Sequence, residues 1–400
     1  MQNRFQYAFH LMTEYIETLL PKLNIAVIFG GSKKKNGAVM YQTRNPRSWK
    51  SYEAVAADIR DSLKRSGFRH VTLMPDDMTL PDALQKEKTH FAWLNTGGVQ
   101  GYNPVSHTPG ILEMMGIPYV GHSPLNACRL DSKHVFKREL ASLGIRTPDF
   151  LTWFYLTGPL PVKYNKKFDA AFGDYPGPFI VKPVSGRASL HVHLVETRKE
   201  LPEVVHRVSE VTRNYVLIEK YMPGREFCVA VSGHVRCENG LFSKNEKPFV
   251  FSEIERILEP GEAIFTSMDQ KAITADRARL IRREDEPDLK KALARLGEEI
   301  FTAFDLKSLV RLDVRADEDG VLNVLEVNPK PDLKRAGNAV ISLVTIGLGE
   351  HGMSYDDLIL GLLADRLDYL LRHRNASVSH ITELLRQAPS PAAIRWEGIS

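Results

Sequence analysis

The stretch LVRLDVRADEDGVLNVLEVNPK, residues 309–330, reads as two β-strands around an Asp-Gly pair. Apolar and polar residues alternate on both sides of that pair, the period of a strand with one buried face. A tight turn at Asp319-Gly320 sets Asp313 opposite Glu326 and Arg311 opposite Asn328. Arg311, Asp313, Glu326 and Asn328 then share one face, and Val310, Leu312, Val314, Leu325 and Val327 share the other. The second set packs a core. The first set needs a reason, because like charges opposite each other in a sheet repel, and facing carboxylates in a low dielectric do not both ionise unaided. Two carboxylates and an amide oxygen are hard ligands that suit Mg²⁺, an ion often shared with substrate phosphates. The alternative is a solvated strand face carrying an Arg–Asp pair. If repulsion dominates, removing either carboxylate leaves the melting temperature unchanged or raises it.

Working outward, EPDLKKALARLGEEIFTAF (286–304) and SYDDLILGLLADRLDYLLRH (354–373) flank the hairpin as amphipathic helices. Upstream lies a polar segment, 240–285, read as a long irregular loop of the kind that forms lids. Further back, NYVLIEKYMPGREFCVAVSG (214–233) gives two strands around Pro223-Gly224. In GPFIVKPVSGRASLHVHLVET (177–197) an apolar strand delivers Lys182 to a loop of small residues. A lysine so placed suits phosphate oxygens, which backbone N–H groups of such a loop can cover. DSKHVFKRELASLGIRTP (131–148) is a cationic helix opened by Lys133. At the other end, NIAVIFGGS, HVTLMPD and HFAWLNTGG are strands separated by helical segments, the pattern of a doubly wound α/β domain. Ligands in such sheets sit beyond the carboxyl ends of strands, which points to Gly30-Gly31, Asn95, Thr96 and Gly97-Gly98. A tight connection without a ligand explains the glycine pairs equally.

The composition narrows the function classes. With 400 residues, 43 % of them hydrophobic, the chain can bury the cores of two or three domains. A net charge of +4, with acids and bases interleaved, gives no basic arm and no nucleic-acid footprint. Cys128, Cys228 and Cys237 are scattered without metal spacing, as suits a reducing cytoplasm. No apolar run reaches membrane-spanning length. The N-terminal MQNRFQYAFHLMTEYIETLLPKLN reads as an amphipathic helix stopped near Pro21 and not as a signal peptide.

GPFIVKP, IEKYMPGREF and RLDVRADEDGVLNVLEVN together resemble the ATP-grasp fold, and most closely the D-alanine–D-alanine ligase family. GGVQGYNPVSHTPGILEMMGIPYVGHSP (97–124) and GMSYDDLI (352–359) are similar to further family segments, so the likeness runs from about residue 24 to 365. It implies an α/β (α+β) chain: an N-terminal doubly wound domain over 1–125, then two α+β ATP-grasp subdomains, 126–221 and 222–400, enclosing ATP. It also implies roles. Lys133 and Lys182 contact nucleotide phosphates, and Ser189 lies in the phosphate-covering loop. Glu219, Lys220, Tyr221 and Met222 read the adenine from a strand edge, Glu226 holds the ribose, and Leu325 joins the nucleotide contacts. Lys271 reaches the γ-phosphate from the lid. Asp313, Glu326 and Asn328 bind two Mg²⁺ ions, with Mn²⁺ an alternative, and Arg311 stabilises charge on the reacting carboxylate.

The amino-acid half departs from the family. Arg47 or Ser48 stands where the family has an acid that binds an ammonium, and LNTGG (94–98) lacks the family's histidine. Ala188 replaces a serine of the phosphate loop. After Asn328 the chain reads PKPDLKRAG, with Asp332 in place of an oxyanion-hole glycine and Gly337 in place of a carboxylate-binding serine. The resemblance thus implies an ATP-dependent carboxylate–amine ligase working through an acyl phosphate. Its partners are small carboxylates and amines, such as amino acids other than a pair of D-alanines. An authentic D-alanine–D-alanine ligase and a non-catalytic nucleotide-binding protein are the alternatives, and a homodimer is compatible with the sequence.

Overall fold

A computed structural model describes residues 2–43, 49–186, 189–264, 273–335 and 341–386. The chain opens with α1 (Gln2–Leu19), β1 (Asn24–Gly30), α2 (Glu53–Arg65), β2 (His70–Asp76), α3 (Leu80–Lys86), β3 (Phe91–Asn95), α4 (His107–Met115) and β4 (Tyr119–Val120). The four strands form one parallel sheet in the order β2-β1-β3-β4. The alternation along β1 covers both faces. Ile25 and Val27 pack with Val55, Ile59 and Leu63 of α2, while Ala26 and Ile28 pack with Leu80, Leu84 and Leu112 of α3 and α4. At the carboxyl end of β1, a Cβ on Gly30 would lie 2.5 Å from the Lys50 carbonyl oxygen, and one on Gly31 would lie 2.5 Å from that of Asp76. The glycine pair therefore serves close backbone packing.

Next come α5 (Pro124–Asp131), α6 (Lys133–Ser142), β5 (Phe150–Trp153), α7 (Lys166–Phe172), β6 (Phe179–Pro183), β7 (His193–Val195), α8 (Leu201–Thr212) and β8 (Val216–Lys220). Their antiparallel sheet runs β5-β8-β6-β7. Phe179 and Val181 of β6 and Val216 and Ile218 of β8 pack on α7 and α8. The intervening Ile180, Lys182 and Glu219 line a cleft on the opposite side.

The third part holds β9 (Glu226–Ser232), β10 (Val235–Glu238), β11 (Leu241–Lys244), β12 (Phe249–Arg256), β13 (Ala278–Leu280), α9 (Pro287–Ala303), β14 (Val310–Ala316), β15 (Leu322–Asn328), α10 (Tyr355–His373) and α11 (Ser379–Arg386). A five-stranded antiparallel sheet runs β13-β12-β9-β14-β15. Val310, Leu312 and Val314 of β14 pack on Leu293, Ile300 and Phe301 of α9 and on Phe136 and Leu140 of α6. Leu358, Leu362 and Leu363 of α10 join the same core as α2 and β1, and the Ser354 capping box fixes where α10 begins.

Two sequence expectations change here. The segment 240–285 is not one irregular loop, because β11, β12 and β13 lie within it. Strand β12 reads as polar because its charges are paired: Glu255 with Arg225 and Arg279, and Arg256 with Glu226 and Asp313. The hairpin turn is also longer than Asp319-Gly320. The Asp317 N–H donates to the Val321 carbonyl at 3.0 Å, and Gly320, with φ 78°, closes the loop in the left-handed region. The extra turn residue is matched by a bulge. Arg311, Leu312 and Asp313 face Asn328, Val327 and Glu326 as expected, but Val314 then faces Val324. A one-residue slip would turn every side chain of β15 over, and the bulge absorbs it. Val324 thus takes the core position expected of Leu325, and Leu325 lines the cleft instead.

Candidate active site

The cleft lies between the β5-β8-β6-β7 sheet and the hairpin, and the same face alternation that builds the cores supplies its walls. Lys133, Lys182, Ser189, Glu219, Lys220, Tyr221, Met222, Glu226, Arg311, Asp313, Leu325, Glu326 and Asn328 all line it. Lys271, Ala188, Gly337 and the Arg47–Ser48 position lie outside the described residues.

Lys133 is the first residue of α6, where its N–H donates to the Val184 carbonyl at 2.8 Å. Its ammonium lies 3.2 Å from Glu326. Lys182 pairs with Glu219 from the neighbouring strand. Burial would depress Lys182, but Glu219 and Glu326 outweigh it and hold the ammonium above the ordinary lysine range. Glu219 is itself buried and carries a second ammonium, Lys137, at 2.9 Å. Burial raises the Glu219 carboxyl, and the two lysines more than reverse this.

The expectation of a strand edge at 219–222 is corrected. Strand β8 is flanked by β5 on one side and β6 on the other. The Lys220 and Tyr221 N–H groups are spent on the Asp149 and Pro178 carbonyls, at 3.0 and 3.1 Å. Met222 lies past the strand end.

The facing carboxylates are reconciled by the protein's own cations. Arg311 donates twice to Asp313, at 2.8 and 3.0 Å, and Arg256 stands 3.5 Å away. The buried Cys228 thiol donates to Asp313 at 3.4 Å. Burial alone would raise Asp313, but Arg311 and Arg256 hold it at about 2. Burial likewise raises Glu326, and Lys133 with Lys182 lowers it below the usual range despite Asp313 opposite. The Arg–Asp pair weighed from sequence is therefore present, on a buried and not a solvated face. Removing Asp313 strands a guanidinium, so the expectation of an unchanged or raised melting temperature does not survive for that residue. The oxygen donors Asp313, Glu326 and Asn328 nevertheless line one cleft, and their chemistry fits Mg²⁺. Among the described residues, no three His, Cys, Asp or Glu side chains gather as a metal group.

Glu226 is engaged by two guanidiniums. Arg256 pairs with one of its oxygens and Arg315 lies 3.4 Å from the other. Arg315 also donates to the Tyr221 hydroxyl and to the Ala263 carbonyl, both at 2.9 Å. At the far end of the cleft stand Lys50, Tyr52, Lys330 and Asp332, and the Lys330 ammonium sits 3.3 Å above the Tyr52 ring.

Sequence reading missed Lys137, Arg256 and Arg315. Lys137 follows Lys133 by one helical turn, and Arg315 continues the alternation of Arg311 and Asp313, so both left a signal. Arg256 left none, since only the sheet order β12-β9-β14 brings β12 within one strand of the hairpin.

Residues 140–364 match the family model described as D-ala D-ala ligase C-terminus. The chain is 28 % identical over 267 residues to an uncharacterised protein, y4sG, of Sinorhizobium fredii, covering 66 % of this chain and 71 % of that one. It is 28 % identical over 299 residues to the D-alanine–D-alanine ligase of Gloeobacter violaceus, covering 74 % and 89 %. Among solved structures, the D-alanine–D-alanine ligase of Bacillus anthracis complexed with ATP superposes with a TM-score of 0.60 at 21 % identity, over 88 % of this chain and 99 % of that one. The D-alanyl-alanine synthetase A of Vibrio cholerae gives 0.63 at 20 %, over the same 88 % and 99 %.

Proposed function

The chain belongs to the D-ala D-ala ligase family, and from that premise we propose a carboxylate–amine ligase that keeps the family's ATP and metal half and has a changed amino-acid half. It is an ATP-dependent ligase with the ATP-grasp fold. The observation that carries the finer reading is one cleft in which Lys133, Lys182, Arg256 and Arg311 face the oxygen donors of a single hairpin.

In this reading Lys133 and Lys182 bind and orient the triphosphate of ATP. The Ile180 and Leu325 side chains give apolar walls, and Tyr221, Met222 and Glu226 form the base and ribose end. Asp313, Glu326 and Asn328 are the residues that would hold two Mg²⁺ ions, which when bound offset triphosphate charge and clamp its oxygens. Arg311, fixed by Asp313, presents a guanidinium to the substrate carboxylate as charge develops there. A carboxylate oxygen takes the γ-phosphoryl group, releasing ADP. The amine nitrogen then attacks the acyl carbon, phosphate leaves, and the amine's proton passes to solvent. The domain division at residues 125 and 221 separates the three larger sheets and is part of this proposal.

At the substrate end, Asp332 replaces the glycine of the family pattern and lines the cleft. An acid there suits an amine-bearing acceptor over a second small zwitterion, and a site built to pair a charge discriminates strongly against a partner lacking it. Phosphate release from Mg-ATP, measured with amino acids singly and in pairs, tests the ligase reading. Release that needs both a carboxylate and an amine is expected, and ATP turnover with none of the pairs would remove it.

A further inference from the structure

Behind Glu219, away from the cleft, lies Lys137. It is fully buried, and among the described residues it is not one of those lining the cleft. Its ammonium stands 2.9 Å from Glu219 Oε2 and donates to Thr147 Oγ1 at 2.6 Å. Thr147 in turn donates to the Val324 carbonyl at 2.8 Å, on β15 beside the bulge. The other Glu219 oxygen, Oε1, meets Lys182, which does line the cleft. Lys137 therefore touches no ligand position, yet it joins the carboxylate that binds Lys182 to the strand that carries Glu326 and Asn328.

Lys182 meets only Glu219 Oε1, and a neutral donor would satisfy Oε2, so nothing requires a second ammonium there. Burying one more charge is costly unless it is used. With both lysines present, the carboxylate's charge is divided between them. With Lys137 removed, Lys182 would face the whole of it at contact distance in a low-dielectric site, where such attraction is strongest.

We propose that Lys137 is a positioning residue for nucleotide binding. It shares Glu219 with Lys182, leaving the Lys182 ammonium available to phosphate, and through Thr147 it sets β8 against β15. This rests on reading the cleft as the ATP site. The groups facing Lys137 are Glu219 from β8, Lys182 from β6, Glu326 from β15, and the Phe150 ring from β5 at 5.7 Å. Burial pushes Lys137 down to about 8, with Lys182 adding to this and Glu219 opposing it. Its proton is therefore lost near that pH, and ATP affinity should fall as it goes.

The test is equilibrium binding of Mg-ATP to the full chain between pH 7 and pH 9, together with KM values for each substrate. Lys137→Met should weaken ATP binding at pH 7 by about tenfold or more and abolish the loss of affinity toward pH 9. KM for the carboxylate and the amine should stay within about twofold. A role confined to stability would lower the folded fraction without a KM split and without changing the pH profile. If Lys137→Met does not fold, Thr147→Val removes the hydroxyl that Lys137 binds, and it should weaken ATP binding by about threefold. ATP affinity within twofold of wild type in the variant that folds, or a pH limb that survives in Lys137→Met, overturns the proposal. A wild-type chain that binds no ATP overturns the nucleotide reading beneath it, and is told apart because the failure then precedes any substitution.

Discussion

Glu219 and Asp313 are two buried carboxylates held by opposite strategies. Glu219 sits between two lysines from α6 and β6. Asp313 sits between two guanidiniums from its own strand and from β12. A lysine is a single point charge that can lose its proton when stranded, while arginine keeps its charge and binds through a planar fork. The lysine cluster is therefore adjustable and one of its ammoniums faces the cleft, which suits capturing a phosphate that comes and goes. The guanidinium cluster is fixed, which suits orienting oxygen donors that stay.

The sharpest way to break the comparison is Asp313→Asn. It leaves Arg311 charged and without its bidentate partner, and it should destabilise the chain by about 4 kcal/mol at any pH from 6 to 9, with loss of turnover. Denaturant unfolding checks it, and an unchanged or raised stability would restore the simple repulsion picture.

Glu219→Gln should cost about 3 kcal/mol at pH 7, and less at pH 9. Its stranded lysines can deprotonate. Their folded pKa values then fall below the unfolded value, so the unfolded chain binds more protons and stability rises with pH. The same deficit at both pH values would mean that the lysines behave like the arginines.

Acid titration tests Asp313 from the other side. Its folded pKa, about 2, is depressed. Its contribution, on the order of 2 kcal/mol, is present above the unfolded carboxylate value near 4 and is lost as pH falls toward 2. The stability gap between wild type and Asp313→Asn should narrow across that window, and a constant gap would contradict the pairing.

The smallest stability effect belongs to Glu326→Gln. Its side chain is 28 % exposed beside Lys133, so the change should cost less than about 1 kcal/mol. Mg²⁺-dependent turnover should nonetheless vanish. Turnover equal to wild type would remove Glu326 from the metal set.

Much of this was legible in the sequence, for physical reasons that differ by residue. The alternation 311-313 against 326-328 placed four side chains on one face correctly, because strand period is local. The bulge at Leu325 was not legible, since only the longer turn closed by Gly320 forces it. The strand-edge reading of 219–222 failed because nothing local says that β5 and β6 both flank β8. The need for cations around Asp313 could be read, but their source could not. Arg311 was adjacent, whereas Arg256 reaches the site only through sheet order, from a segment whose paired charges made it look like loop.

A chain that keeps the ATP half and has a changed amino-acid half should couple ATP to a different amide. The most direct test is one competition reaction: Mg-ATP, the chain, and an equimolar mixture of amino acids including D-alanine, with the amide products identified by mass spectrometry. The expected result is ADP formation coupled to an amide other than D-alanyl-D-alanine as the main product. D-alanyl-D-alanine as the dominant product would contradict it.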